Sequence, residues 1–143
     1  MGLALKEAEI AAIEGEVPVG AYVFVDGEVV AKAHNEREKL CNPLAHAECT
    51  ALARAAAAFG NWRLHRAVLV VTLEPCLMCM GALLAARVPL LIYGAHDPRA
   101  GAAGTLYDLT QDPRLNHSIS VVRGVRREES SKLLREFFEG RRQ

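Results

Sequence analysis

The stretch from Ala67 to Gly94 limits the fold more than any other part of the chain. Two continuous apolar runs, Ala67-Val68-Leu69-Val70-Val71-Thr72 and Leu90-Leu91-Ile92-Tyr93-Gly94, enclose a helical pattern from Cys76 to Arg87 that Pro89 stops. A strand with one wet face alternates apolar and polar residues. These runs do not alternate, so each reads as a buried central strand covered on both faces. Strand, helix, strand is the repeating unit of an α/β sandwich.

The flanking segments extend that unit. Leu3 to Glu14 carries Leu3, Ile10 and Ile13 among alanines and charges, which predicts an amphipathic helix ending near Gly15, with Val17-Pro18-Val19-Gly20 as its breaker. Ala21 to Val25 and Glu28 to Ala33 flank Asp26-Gly27, a strong signal for a two-residue hairpin. Asn35 to Asn42 is polar and reads as a loop, and Ala45 to Phe59 as a helix ending at Gly60. Ala95 to Gly104, rich in Gly, Ala and Pro, reads as a surface loop; Thr105 to Leu109 reads as a short helical piece. Ile119 to Val122 is an edge-like strand, and Glu128 to Phe138 an amphipathic terminal helix with Leu133, Leu134, Phe137 and Phe138 on or near one face. Neighbours on a helix point about 100° apart, so of Phe137 and Phe138 one faces the core and the other solvent. The order α-β-β-α-β-α-β-β-α predicts one domain over residues 1–143, an α/β sandwich around a mixed sheet, without internal repeats.

Lys plus Arg equals Asp plus Glu, so no overall basic field advertises a nucleic-acid partner; any such partner needs a local patch. The basic end is the C-terminal one, where Arg114 to Gln143 holds eight Arg or Lys against four Glu. The N-terminal residues lack an apolar run of signal-peptide length, and nothing approaches the length of a membrane span, so a cytoplasmic protein is expected. In that setting four cysteines suggest metal or core rather than disulfides.

Two short stretches carry chemistry. Pro43-Leu44-Ala45-His46-Ala47-Glu48 supplies an imidazole and a carboxylate two residues apart, and Glu74-Pro75-Cys76-Leu77-Met78-Cys79 supplies two thiols at C-x-x-C spacing. One His and two Cys are the ligand count of a catalytic Zn²⁺ whose fourth position stays open. Both stretches open helices, and a helix N-terminus favours the thiolates that bind the metal. Zinc lowers the pKa of bound water towards neutrality, and Glu48, not needed as a ligand, is free to shuttle protons. Hydrolytic removal of ammonia from a ring carbon requires those two functions.

The pattern H-A-E … P-C-L-M-C resembles the known signature of the zinc nucleoside and nucleobase deaminases. Glu16-Val17-Pro18-Val19-Gly20, Asn35, Ala45 to Glu48, Leu73 to Cys79, Gly94 to Gly104, and Phe137-Phe138 with Arg141-Arg142 extend the resemblance over nearly the whole chain. There it is similar to the bacterial tRNA-specific adenosine deaminases, which convert the wobble adenosine of an anticodon to inosine. The resemblance implies a cytidine-deaminase-like three-layer α/β/α sandwich with a mostly five-stranded mixed sheet, one Zn²⁺ per subunit and a homodimer. It implies His46, Cys76 and Cys79 as metal ligands and Glu48 as the catalytic proton carrier. Asn35, Val19 and Ala47 would hold the flipped nucleotide, Asp97 would reach a ribose, and Phe138 and Arg141 would touch the tRNA from the terminal helix.

Blander assignments stand beside these. A structural zinc wants a fourth protein ligand, for which Cys41 and Cys49 are the candidates, although both also read as small apolar residues. Asn35 and Asp97-Pro98 are ordinary turn signals, and His34, His65, His96 and His117 read as surface or loop residues. The competing functions are deamination of a free base or nucleoside (guanine, cytosine, cytidine) by the same chemistry, and a zinc-stabilised interaction module without catalysis.

Overall fold

The computed structural model describes residues 1–141; Arg142, counted above with the basic end, lies outside the described residues. Four helices and five strands follow in the order α1 (Gly2–Ile13), β1 (Gly20–Val25), β2 (Glu28–His34), α2 (Ala47–Phe59), β3 (Ala67–Leu73), α3 (Leu77–Ala85), β4 (Leu90–Ala95), β5 (Ser120–Val122) and α4 (Arg127–Arg141). The strands form one mixed sheet in the order β2-β1-β3-β4-β5. β1 is antiparallel to β2 and β3, whereas β3-β4 and β4-β5 are parallel. Both buried runs lie near the centre, as their lack of alternation requires.

The Asp26-Gly27 turn has positive φ at both residues, the hallmark of the tight hairpin its sequence announces. After the pairs Val25–Glu28 and Phe24–Val29 the register shifts between Val23 and Phe24, leaving Val30 as the extra residue of a bulge in β2. Alternate residues of β3 and β4 face different layers. Leu69, Val71, Leu91 and Tyr93 join Ala51, Leu52, Ala55, Met80 and Leu83 in the main core under α2 and α3. Tyr22 and Val70 face Ala4 of α1 in a thinner core on the other side. α4 lies on β4 and touches α1, completing the α/β/α sandwich.

The thin layer corrects the reading of α1. Leu3, Ile10 and Ile13 were expected to face the core, but they are exposed, Ile13 at 85%, while Ala4, Leu5, Glu7, Ala8 and Ala11 are buried. The cause is Gly20: a Cβ there would sit 2.1 Å from the Ala4 carbonyl oxygen. With helix and strand backbones that close, Ala4 and Ala8 are the side chains that fit directly over Gly20; Leu5 and Glu7 are buried to either side, and Leu3, Ile10 and Ile13 turn outward.

Three smaller differences concern helix ends and loops. α2 begins at Ala47, with His46 as its N-cap and Ala45 outside, and α3 spans Leu77–Ala85 with Cys76 as its N-cap. Residues 105–109 are not helical: the Leu106 and Tyr107 N–H groups donate to the Gly101 carbonyl, and Ala103 bridges to Asp108. The stretch expected to be a surface loop is partly internal, with Gly101, Ala102 and Ala103 buried. Local composition did not reveal this because the partner that buries it, Glu74, lies far away in sequence.

Candidate active site

His46 and Cys76 are both N-cap residues with extended backbone, and neither side chain caps its own helix. The imidazole and the thiols turn toward one another instead. His46 Nδ1 lies 3.6 Å from Cys76 Sγ and 3.5 Å from Cys79 Sγ. These donor atoms all lie within 4.8 Å of one another. Zinc–sulfur bonds of about 2.3 Å and zinc–nitrogen bonds of about 2.0–2.1 Å at tetrahedral angles separate N from S by about 3.6 Å. The triangle therefore fits a tetrahedral cation with the fourth corner left to a non-protein ligand.

The electrostatics agree. Two helix N-termini, those of α2 and α3, present their positive ends to one point. A hydrogen bond from the Cys79 thiol, helped by His46, holds the Cys76 thiol down at about 3. Its bonds to Cys49 and Cys76, together with burial, push Cys79 up, and the bond to Cys76 raises His46. For both sulfurs to serve as ligands both must be thiolates, and a cation at this point supplies the charge that favours that form.

Glu48, in the first turn of α2, is buried, and burial pushes its carboxyl up to about 7. It lines, with His46 and Cys76, a cavity of about 150 Å³, a volume that in an apolar core is enough to take up a benzene ring. Val19, Asn35, Ala47 and Asp97 line the same cavity, so four of the residues expected at the substrate converge there. Asn35 Nδ2 points at the Val17 carbonyl (3.5 Å), and its backbone N–H donates to Val19 O. Asp97 closes a turn by accepting the Arg99 and Ala100 N–H groups on Oδ1.

Phe138 and Arg141 are not in that cavity. They line an adjoining groove with Leu134, Pro98 and Arg99, and the groove shares Val17, Leu73 and Asp97 with the cavity. Phe138 is the exposed aromatic of the pair, whereas Phe137 is half-buried. The Arg141 guanidinium stacks 4.5 Å from the Phe137 ring and donates to the Gly15 carbonyl, with N–H donors to spare among the described residues.

Of the other cysteines, Cys41 is exposed, contrary to its reading as a small apolar residue; Cys49 is half-buried, its Sγ 3.7 Å from that of Cys79. His65 and His96 are exposed, but His34 is half-buried between Glu7 (2.8 Å) and Glu14 (2.9 Å), and His117 bonds the Val88 carbonyl. Sequence reasoning missed Glu74, a buried carboxylate in the cavity wall, and Glu16, a buried carboxylate directly before the lining residue Val17. The available signal was an acid inside an otherwise apolar run, Thr72-Leu73-Glu74-Pro75.

Five mixed strands with helices on both faces, and a His-Cys-Cys triangle beside a buried Glu at two helix starts, define the cytidine-deaminase-like class. The profile of the MafB19-like deaminase family matches residues 1–142, and the chain belongs to that family. Within it, the chain is 48% identical over 135 residues to the tRNA-specific adenosine deaminase of Bacillus subtilis (strain 168), covering 94% of this chain and 84% of that protein. The protein of the same name from Agrobacterium fabrum is 42% identical over 142 residues, covering 99% and 93%. A solved structure from a study of A-to-I editing by tRNA:A34 deaminases superposes with a TM-score of 0.90 at 41% identity, covering 94% and 97%. A guanine deaminase from Nitrosomonas europaea superposes at 0.80 with 26% identity, covering 95% and 81%.

Proposed function

We propose that this protein hydrolytically deaminates the wobble adenosine of a tRNA anticodon to inosine. The observation that carries the reading is the cavity itself: a buried carboxyl shares one ring-sized pocket with His46 and Cys76, two corners of a metal-sized N/S triangle. His46, Cys76 and Cys79 hold one Zn²⁺, which when bound supplies the positive charge that eases ionisation of a water. Glu48 takes a proton from the attacking water on one carboxylate oxygen and passes it to the departing amino nitrogen. A carboxyl raised to about 7 is matched to giving and taking a proton near neutral pH. Ala47 and Val19 wall the base, Asn35 hydrogen-bonds the nucleotide, and Asp97 meets the ribose at the mouth.

Relatives named tRNA-specific adenosine deaminases point to RNA rather than a free base. The groove that leaves the cavity towards Phe138 and Arg141 supports the same choice, since a lone base has nothing to place there. We read the active form as a homodimer, with exposed Leu44 and Leu77, next to His46 and Cys76 in the sequence, as the residues to test for contact with a second copy. No helix among the described residues is long and apolar enough to cross a membrane, and a tRNA substrate implies work in the cytoplasm. The test is selective removal of the residues after Glu136: deamination of tRNA should be lost while zinc content stays. Equal activity on tRNA after truncation refutes the role of the groove.

A further inference from the structure

The walls of the cavity are loops, and loops need something to hold them. Residues 35–42 form one wall and residues 95–105 the other, and each is fastened to a buried carboxylate. Glu74 has a side chain with no exposed surface and no Lys or Arg within 4.0 Å among the described residues; only the half-exposed His96 ring approaches, at 3.7 Å. Its oxygens accept the N–H groups of Asp97 (3.0 Å), Ala103 (3.0 Å) and Thr105 (3.1 Å), and the Thr105 hydroxyl. Every partner is a donor, which suits a carboxylate and not an amide. Gly101 is there because a Cβ would lie 2.4 Å from the Glu74 carboxyl carbon. Opposite, Glu16 is 1% exposed and accepts the N–H groups of Glu38 (3.1 Å) and Lys39 (2.8 Å).

We propose that Glu74 and Glu16 are positioning residues that set the width and shape of the substrate cavity by pinning its two loop walls. Each stands next to a segment of the site: Glu74 two residues before Cys76, and Glu16 directly before the Val17-Pro18-Val19 wall. Glu74 also lines the cavity, but both its oxygens are taken up by loop donors, and Glu16 lies behind the wall. The carboxylates act through Asp97 on one side and through the Asn35–Arg37 turn on the other, where the Arg37 N–H bonds Asn35 Oδ1. Burying a charge is costly unless donors surround it, so a carboxylate satisfied only by loop N–H groups holds those loops firmly.

As regards substrate, the proposal rests on the RNA-deaminase reading, and its test separates the two. Glu74→Gln keeps the shape but turns an NH₂ group towards N–H donors. Amide exchange of Asp97, Ala103 and Thr105 should speed up by at least about tenfold, with β3 and β4 unchanged. KM for a tRNA anticodon stem-loop should rise about tenfold while kcat stays within about threefold and zinc content is unaltered. Glu16→Gln should do the same at Glu38 and Lys39. Thr105→Val, at an exposed position, removes one donor and gives a milder version should Glu74→Gln fold poorly. Unchanged exchange overturns the proposal; so does faster exchange with KM unmoved, or a fall in kcat together with loss of zinc. A wild-type protein that ignores the stem-loop refutes the tRNA reading, and the exchange data still decide whether the carboxylates hold the walls.

Discussion

Gly20→Ala should destabilise the protein by an amount the structure sets. The new Cβ would lie 2.1 Å from Ala4 O, 2.6 Å from Ala8 N and 2.8 Å from Glu7 Cβ. Two of these are backbone atoms, so no rotamer change relieves the clash, and α1 must retreat by about 1 Å to restore van der Waals contact. Overpacking of this kind costs about 1–3 kcal/mol, and the rigid partners place this site near ~3. At ~2–4 °C per kcal/mol for a chain of this size, Tm should fall by about 6–12 °C. Gly81 is the control. Nothing lies within 4 Å of its added Cβ, and it is exposed inside α3. Gly81→Ala should therefore stabilise by about 0.5–1 kcal/mol through helix propensity alone. Calorimetric melts of both variants beside the wild type measure the two signs at once. Gly20→Ala within about 2 °C of wild type, or Gly81→Ala melting lower, would refute the packing argument.

Further outcomes follow from other contacts. Burial lowers the His34 pKa, but its bonds to Glu7 and Glu14 outweigh that, and the net shift is upward. Its contribution is therefore complete below the unfolded pKa of about 6.5 and fades as pH rises through the higher folded value. Tm of His34→Gln should thus trail wild type more at pH 6 than at pH 9; a constant or inverted gap contradicts this. Cys79→Ser should drop bound zinc from about one ion per chain to nearly none, measured by elemental analysis of purified protein. Phe138→Ala should weaken stem-loop binding by about 1–3 kcal/mol in a fluorescence titration, as the loss of a stacking platform does.

What could be read beforehand depended on how local the cause was. β3, α3 and β4 follow from runs that fail to alternate, and the convergence of His46, Cys76 and Cys79 from spacing and residue type, because two helix starts bring together what two short motifs encode. The buried face of α1 could not be read from its own apolar residues, since Gly20 in another element dictates that alanines face the sheet. The fold of residues 101–109 was equally hidden: composition suggests a surface loop up to Gly104 and a short helical piece from Thr105, but a carboxylate about thirty residues earlier draws the loop inside and holds Thr105. Phe137 and Phe138 needed three dimensions to tell apart, because helical geometry says only that they diverge.

Inosine formation on an anticodon stem-loop bearing wobble adenosine tests the central claim most directly. Free adenosine, guanine and cytidine run beside it, and Glu48→Ala with its zinc content measured serves as the blank. The account predicts turnover of the stem-loop alone by wild type, and none by a metal-replete, folded Glu48→Ala. Turnover of a free base or nucleoside without the stem-loop, or an active Glu48→Ala, would contradict it.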